Sequence, residues 1–356
     1  MLDETKPPYR VPSMTEVAAL RGTNGYTAVS TFSGAGGSCL GHEMAGFHLA
    51  WANEFIPAAQ EVFRLNHPDT VLDTRDIRDV KAGDILAAIG KSAGEIDLFD
   101  GSPPCSSFST AGKRDKGWGK VKQYSDTAQR TDDLFYEYAR LVGDLQPRVF
   151  VAENVSGLVK GTAKGYFQLI MRELISKGYR VKAKALDAKW LGVPQSRERL
   201  IFMGVREDIG LEPIYPTPFS YYYSVREAWI TLAVPTAAEL AEASSEGYAI
   251  ADEWAKTRPG ESSDKFFNLA RAHEDRPSPC VTAVGGGTST ASVMHPNEPR
   301  KFTIGELKRI CAFPDDFQLV GLYSQQWERL GRAVPPLMMR AVSEVVRDQI
   351  LSKACL

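Results

Sequence analysis

No apolar run in this 356-residue chain approaches the ~20 residues that a membrane span needs. Cysteine is scarce. Five residues (Cys39, Cys105, Cys280, Cys311 and Cys355) are scattered without metal-ligand spacing. Such an odd, dispersed set points to free thiols in a reducing cytoplasm, with no metal site. An excess of one charge is also missing. Lys and Arg number 42 against 44 Asp and Glu, a net charge of −2. Composition therefore does not announce a nucleic-acid binder, and any basic surface must be local. Internal repeats and low-complexity tracts are absent. Met1 to Arg10 are polar and proline-containing and read as no signal peptide. What is left is a globular composition, 43% apolar and 24% charged, long enough for one large domain or one plus a smaller one.

Residues 1–26 read as a polar lead with a short helix around Met14 to Leu20. From Tyr26 short apolar strands alternate with amphipathic helices. Strands are expected at Ala28 to Phe32, His48 to Ala52, from Thr70 and Val71, Ile96 to Phe99, Arg148 to Ala152, Val181 to Leu186 and Arg199 to Val205. Helices are expected from Cys39 to Ala45, Pro57 to Asn66, Ala82 to Ala88, Asp132 to Asp144 and Tyr166 to Lys177. This alternation predicts an α/β fold, a Rossmann-like, mostly parallel sheet covered on both faces. After Val205 the rhythm changes. Prolines, a Tyr221-Tyr222-Tyr223 run and a flexible Gly285 to Thr290 segment suggest a smaller, irregular domain. A helix from Pro336 to Leu351 should return to the first domain. The expected division is 27–205 with 323–356, and 206–322.

Gly101-Ser102-Pro103-Pro104-Cys105-Ser106 follows the strand ending at Phe99. Two prolines make a stiff turn that displays one thiol. Alone, Pro-Pro-Cys reads as well as a buried cysteine beside a turn. Phe32-Ser33-Gly34-Ala35-Gly36-Gly37 lies between the first strand and the next helix, where a glycine-rich turn brings a ligand to a helix N-terminus. Glu54, ending the second strand, stands where an acid commonly takes ribose hydroxyls. Asp76, after the third, is placed to accept from an adenine amino group. Each acid singly reads as a solvated loop residue; the glycine-rich turn and the two acids, three elements in order at strand ends, indicate an adenosine site.

These residues resemble the cytosine-C5 DNA methyltransferase family over nearly the whole chain. Phe32 to Phe47 resembles its first motif and Pro103-Pro104-Cys105 its nucleophile turn. Glu153-Asn154-Val155 resembles its acid motif and Gly192 to Arg199 its Gln-x-Arg-x-Arg motif. Phe302 to Asp315 is similar to the ninth motif and Gly331-Arg332-Ala333-Val334-Pro335-Pro336 to the tenth. The resemblance implies an S-adenosylmethionine-dependent methyltransferase fold and a target-recognition region. It implies double-stranded DNA as partner and a flipped cytosine as substrate. It implies that Cys105 adds to C6, that Glu153 is the general acid at N3, and that Arg197 and Arg199 meet the base O2 and nearby phosphate. Ion-paired and surface readings stand beside these for Glu153 and the two arginines. Phe55, Ile77, Pro104, Leu134, Arg332 and Ala333 join Phe32 to Gly37, Glu54 and Asp76 in the implied donor-binding set; Leu134 reads equally as helix core. Lys113 to Lys122, with five basic residues, reads as a mobile lid gripping phosphates, or as a solvated charged loop.

Two departures stand out. Ser106 replaces the family's usual Gln after the nucleophile, and Arg332 replaces the usual Asn of the tenth motif. In the family that last position lies near the donor's sulfonium. A guanidinium there costs up to ~4 kcal/mol at 4 Å and an effective dielectric of 20, but would pair with a carboxylate on the transferred group. Methyl transfer from S-adenosylmethionine is the family default; carboxymethyl transfer from carboxy-S-adenosylmethionine is the alternative. Arg332 reads equally as a contact to the donor's amino-acid carboxylate, a DNA phosphate or solvent. An RNA cytosine-C5 transferase and an inactive DNA-binding regulator are the rivals of other kinds. The expectation is a monomer in a bacterial or viral-host cytoplasm, without membrane contact and with no residue that speaks for a cognate nuclease.

Overall fold

The computed structural model describes residues 6–104, 121–123, 128–130, 133–159 and 164–354. Cys105, Ser106 and all but the last two residues of the basic run Lys113 to Lys122 lie outside the described residues. The chain forms two compact units, one of Val17–Leu186, Glu198–Pro216 and Met339–Leu356, the other of Met1–Glu16, Asp187–Arg197 and Thr217–Met338. The sequence-based division runs differently. The compact units count 206–216 with the first unit and 187–197 and 323–338 with the second.

Through the first unit run α1 (Met14–Leu20, whose start belongs to the second), β1 (Thr27–Thr31), α2 (Gly37–Met44), β2 (His48–Asn53), α3 (Pro57–Asn66), β3 (Val71–Asp73), α4 (Ala82–Ile89) and β4 (Leu98–Gly101). A short antiparallel pair, β5 (Val121–Gln123) and β6 (Ala128–Arg130), comes next. Then follow α5 (Leu134–Leu145), β7 (Val149–Val155), α6 (Lys164–Ser176), β8 (Tyr179–Asp187) and β9 (Glu198–Arg206). Seven strands form one sheet in the order β3-β2-β1-β4-β7-β9-β8. The first five are parallel and β9 runs antiparallel to β7, so the expected mostly parallel α/β sheet is what forms.

β1 and β4 are buried at every position, which is why they read as continuous rather than alternating runs. On one face α5 buries Leu134, Phe135, Tyr138, Leu141, Val142 and Leu145, a stripe at helical spacing. The Tyr138 ring stacks on Phe99 at 5.0 Å. Its hydroxyl lies 3.2 Å from the Phe99 carbonyl and 2.9 Å from that of Val151, so it anchors α5 to both β4 and β7. Gly101 is dictated by this packing: a Cβ there would lie 2.5 Å from Tyr138 Cε2 and 2.7 Å from Thr31 Oγ1.

In the second unit stand α7 (Val225–Trp229), α8 (Ala237–Ala243), α9 (Ala249–Lys256), α10 (Ile304–Ile310) and α11 (Tyr323–Arg332), with the two-residue strands β10 (Ala270–Arg271) and β11 (Val293–Met294). Three of these helices open on a Ser/Thr-x-x-Glu box: Ser224 with Glu227, Thr236 with Glu239, and Thr303 with Glu306. In each, the hydroxyl accepts from the glutamate N–H and the carboxylate accepts from the cap N–H. The glycines at 285–287, read from sequence as flexible, serve close packing. A Cβ at Gly285 would sit 2.6 Å from Trp327 Nε1, and one at Gly286 2.7 Å from Ser324 Cα. Buried Lys301 donates to the carbonyls of Gly285 and Gly287. The last helix, α12 (Pro336–Val345), gives way to a wider turn over Val346–Ile350, where sequence suggested one continuous helix to Leu351.

His295 marks a pH-dependent element in this unit. Its ring lies face-on to Trp229 at 5.2 Å, and its Nδ1 accepts from the N–H groups of Asn297 and Glu298 at 3.2 and 3.1 Å. An accepting Nδ1 requires the neutral ring, and burial pushes the imidazole down to about 4. The unfolded chain therefore binds a proton in a window where the folded one does not, and stability falls as pH drops from about 6.5 towards 4. Urea midpoints measured across that range should decline more steeply for the wild type than for His295→Gln.

Candidate active site

The C-terminal ends of the parallel strands carry the candidate site of the first unit, as expected for an open α/β sheet. The chain leaves β1 through Phe32 and Gly34, at φ +54° and +56°, and enters α2 through Gly36 at φ +91°. The Ser33 N–H donates to the Asn53 carbonyl at 3.0 Å, and the Gly36 N–H donates to the Ser33 carbonyl at 2.9 Å. Glu54 closes this loop from β2: one carboxylate oxygen accepts the Gly34 N–H at 2.7 Å, the other the Ile56 N–H at 2.7 Å. These two bonds hold the carboxylate's orientation. Among the described residues, a Cβ at Gly34 would meet nothing within 4 Å.

Asp76 caps the short turn after β3 and pairs with Arg78 at 2.9 Å. Arg78 reaches on to Asp133, at 2.5 Å, beside the start of α5. Arg78 is a neighbour that sequence reading missed, although its two-residue offset from Asp76 was visible. Ile77 and Leu134 are buried in the core; Phe32, Phe55 and Pro104 are half-buried.

Glu153, near the end of β7, pairs with Arg199 on the antiparallel neighbour β9, with 2.8 Å between Arg199 Nε and Glu153 Oε1. Both side chains are largely buried. The adjacent Asn154 donates its amide to the Pro103 carbonyl at 3.1 Å. The acid strand is thereby tied to the proline turn two residues before Cys105. Asn154 was quoted in the acid motif without a role, and its buried amide supplies one. Of the described cysteines, Cys39 and Cys311 are buried thiols. Burial raises both, Cys311 to about 12, which keeps them protonated and unreactive.

In the second unit the Gln-x-Arg part of the arginine motif is built into the interior. Gln195 accepts from the Val281 N–H at 3.2 Å and donates to the Ile310 carbonyl at 3.3 Å. Arg197, 3% exposed, donates to the carbonyls of Val281 at 2.9 Å, Gly331 at 3.0 Å and Arg332 at 3.4 Å. The resemblance implies a common target for Arg197 and Arg199; the structure gives Arg197 backbone carbonyls and the Cys280 sulfur, and gives Arg199 the Glu153 carboxylate and the Glu198 carbonyl at 2.8 Å. Gly331 must be glycine here, because a Cβ would press on the backbone of Thr282 and Ala283 at 2.8 Å. Arg332 pairs with Glu328 one helical turn back, at 2.8 Å, with its side chain 41% exposed. Ala333 is the residue on which α11 ends.

The two arginines should separate experimentally. Arg197→Met strands several buried carbonyls and is expected to lower the unfolding free energy by about 2–4 kcal/mol. Arg199→Met removes one ion pair whose side chains keep 16% and 12% of their surface exposed, so water can reach the carboxylate, and should cost less, about 1–2 kcal/mol. Equal losses in urea denaturation would contradict this division.

Comparison with known proteins places the whole arrangement. Residues 26–347 match the family model described as C-5 cytosine-specific DNA methylase. The type II methyltransferase M1.HphI of Haemophilus parahaemolyticus is 32% identical over 337 residues, covering 90% of this chain and 86% of that protein. M.Sau96I of Staphylococcus aureus is 31% identical over 345 residues, covering 92% and 77%. Among solved structures, a putative DNA modification methyltransferase encoded within a prophage (E. coli) aligns with a TM-score of 0.72 at 22% identity, covering 92% of this chain and 99% of that one. A variant of Spodoptera frugiperda DNMT2 aligns with a TM-score of 0.65 at 18% identity, covering 90% and 99%. With its strand-end loop, acid pair and ordered motifs, the chain belongs to the C-5 cytosine-specific DNA methylase family.

Proposed function

We propose that this protein transfers a methyl group to C5 of a cytosine flipped out of double-stranded DNA. Cys105 is the nucleophile and Glu153 the acid. The observation that carries the reading is the Arg199–Glu153 pair on a strand whose Asn154 grips the Pro103 carbonyl. It unites, within one unit, the acid and the turn leading into Cys105.

The donor set fits S-adenosylmethionine. Glu54 offers a carboxylate for ribose hydroxyls and Asp76 one for the adenine amine. Half-buried Phe32 and Phe55 supply apolar flanks with buried Ile77 packed behind, and no described residue fills the space beside Gly34. The bound donor supplies an electrophilic methyl. The chain's residues do the rest. The Cys105 thiolate forms a bond to C6, and the displaced π pair makes C5 nucleophilic. Glu153, oriented by Arg199, hydrogen-bonds the N3 edge and delivers a proton there, which makes C6 more electrophilic. After C5 is alkylated, a base takes the C5 proton, the Sγ–C6 bond breaks to release the thiolate, and the N3 proton returns to Glu153, restoring the ring. Residues 206–322 are the target reader in this reading, and the enzyme works as a metal-free monomer in a bacterial or viral-host cytoplasm.

Arg332 supports a second reading, carboxymethyl transfer from carboxy-S-adenosylmethionine, because a cation stands where the family usually has Asn. The Glu328 partner at 2.8 Å weighs against it, since that guanidinium already has a carboxylate on its own helix. Methyl transfer therefore remains the stronger reading.

Incubating the enzyme and duplex DNA with each donor separately, then weighing the product nucleosides, decides the transferred group. The expected product is 5-methylcytosine, with Arg332→Asn leaving its identity unchanged. Cys105→Ser should abolish turnover, and Glu153→Gln should lower kcat by about 10²–10⁴. Stronger crosslinking of Cys105 to tRNA than to duplex DNA would redirect the substrate to RNA.

A further inference from the structure

The reaction above makes no use of His42 or Asp100, yet their side chains are 0% and 1% exposed and face each other in the first unit. His42 Nε2 lies 3.4 Å from Asp100 Oδ2. His42 Nδ1 lies 2.7 Å from Ser343 Oγ on α12, and Ser343 Oγ donates to the Met339 carbonyl at 2.8 Å. Proton counting fixes the directions. The single Ser343 hydroxyl proton goes to Met339, so His42 Nδ1 donates to Ser343; among the described residues His42 Nε2 makes no hydrogen bond and meets Asp100 as a close contact at 3.4 Å.

On the other side the chain runs to the donor loop. Ser33 donates to the Ser30 hydroxyl at 3.1 Å, and Ser30 donates to Asp100 Oδ2 at 3.0 Å. Asp100 is the last residue before Gly101 and the proline turn, and its carbonyl accepts from Thr31 Oγ1 at 3.2 Å. The surrounding titratable groups are committed elsewhere. Cys39, beside Ser30 and Ser33, is kept a thiol by burial and by the Asp100 charge. Glu43 turns away to Arg21 and His67, each at 2.9 Å.

We propose that the His42–Asp100 pair is a positioning element for donor binding. Through Ser30 and Ser33 it locks the Phe32 to Gly37 loop to the end of β4. The inference rests on reading that loop as the donor site. A buried ion pair is weak evidence for stability, since an apolar pair of similar volume often replaces it without loss. Its place beside the Asp100–Ser30–Ser33 hydrogen bonds, which lead to one loop, points to geometry.

The test measures S-adenosylmethionine affinity calorimetrically, with donor KM and kcat, on the full chain. The apolar double variant His42→Leu/Asp100→Leu should unfold no more readily than either single variant. It should bind the donor about tenfold more weakly, with kcat at saturating donor within about threefold of wild type. Asp100→Asn can put only one atom, oxygen or nitrogen, where Oδ2 meets both Ser30 and His42, and should weaken binding by less than the double variant, about threefold. Ser30→Ala, a single small deletion, should weaken binding about fivefold and serves if the double variant does not fold. Wild-type affinity in the double variant or in Ser30→Ala would overturn the coupling alone. A wild-type protein with no affinity for S-adenosylmethionine would overturn the donor reading of the loop as well.

Discussion

Strands β1 and β4 lie at the centre of the sheet and are buried at every position. A strand covered on both faces has only its ends left to offer to a ligand, and parallel pairing puts equivalent ends on one edge. The glycine loop after β1, Glu54 after β2, Asp76 after β3, the proline turn after β4 and Glu153 near the end of β7 therefore share an edge without any of them being adjacent in sequence. The packing that enforces this is local and strict. Tyr138 holds α5 against β4 and β7, and its ring occupies the space in which any side chain at residue 101 would have to stand.

Buried polar groups in the two units do different work. In the first, Arg199 meets a carboxylate and Asn154 a carbonyl, and these bonds tie β9 to β7 and β7 to the proline turn. In the second, Arg197, Gln195 and Lys301 face mainly backbone carbonyls and hold irregular chain in place. Irregular backbone has no ladder to satisfy its carbonyls, so side chains must do it, and an arginine with five donors can serve several at once. The same arginine motif thus contributes one residue to architecture and one to the candidate chemistry.

Much of the fold was legible because its signals are local. Alternating apolar runs and helical stripes marked β1, β2 and α3 to within a residue and β4 and β7 to within two or three, and glycine and acid positions marked the loops at the strand ends. Other features were closed to sequence reading for physical reasons. The Gly285 to Gly287 run looks flexible when only backbone freedom is considered; Trp327, Ser324 and Lys301, all distant in sequence, make it tightly packed. Arg197 and Arg199 have the same local environment in sequence and divide only according to what lies across from each. Arg78 and Asn154 acquired roles only when their partners, Asp133 and Pro103, came within hydrogen-bond distance.

The sequence by itself determined the family, the α/β class and the order of the motifs, because these depend on residue type and spacing. It also singled out Cys105 and Arg332 by their neighbours in the chain. Tertiary structure alone decided what each charged group faces: Glu54 the Gly34 amide, Glu153 the Arg199 guanidinium, Arg332 the Glu328 carboxylate, Asp100 the His42 ring. The reason is the range of the forces involved. Hydrophobic periodicity and backbone propensity act within a few residues of sequence, whereas hydrogen bonds and ion pairs act within a few ångströms of space, and only the folded chain converts one distance into the other.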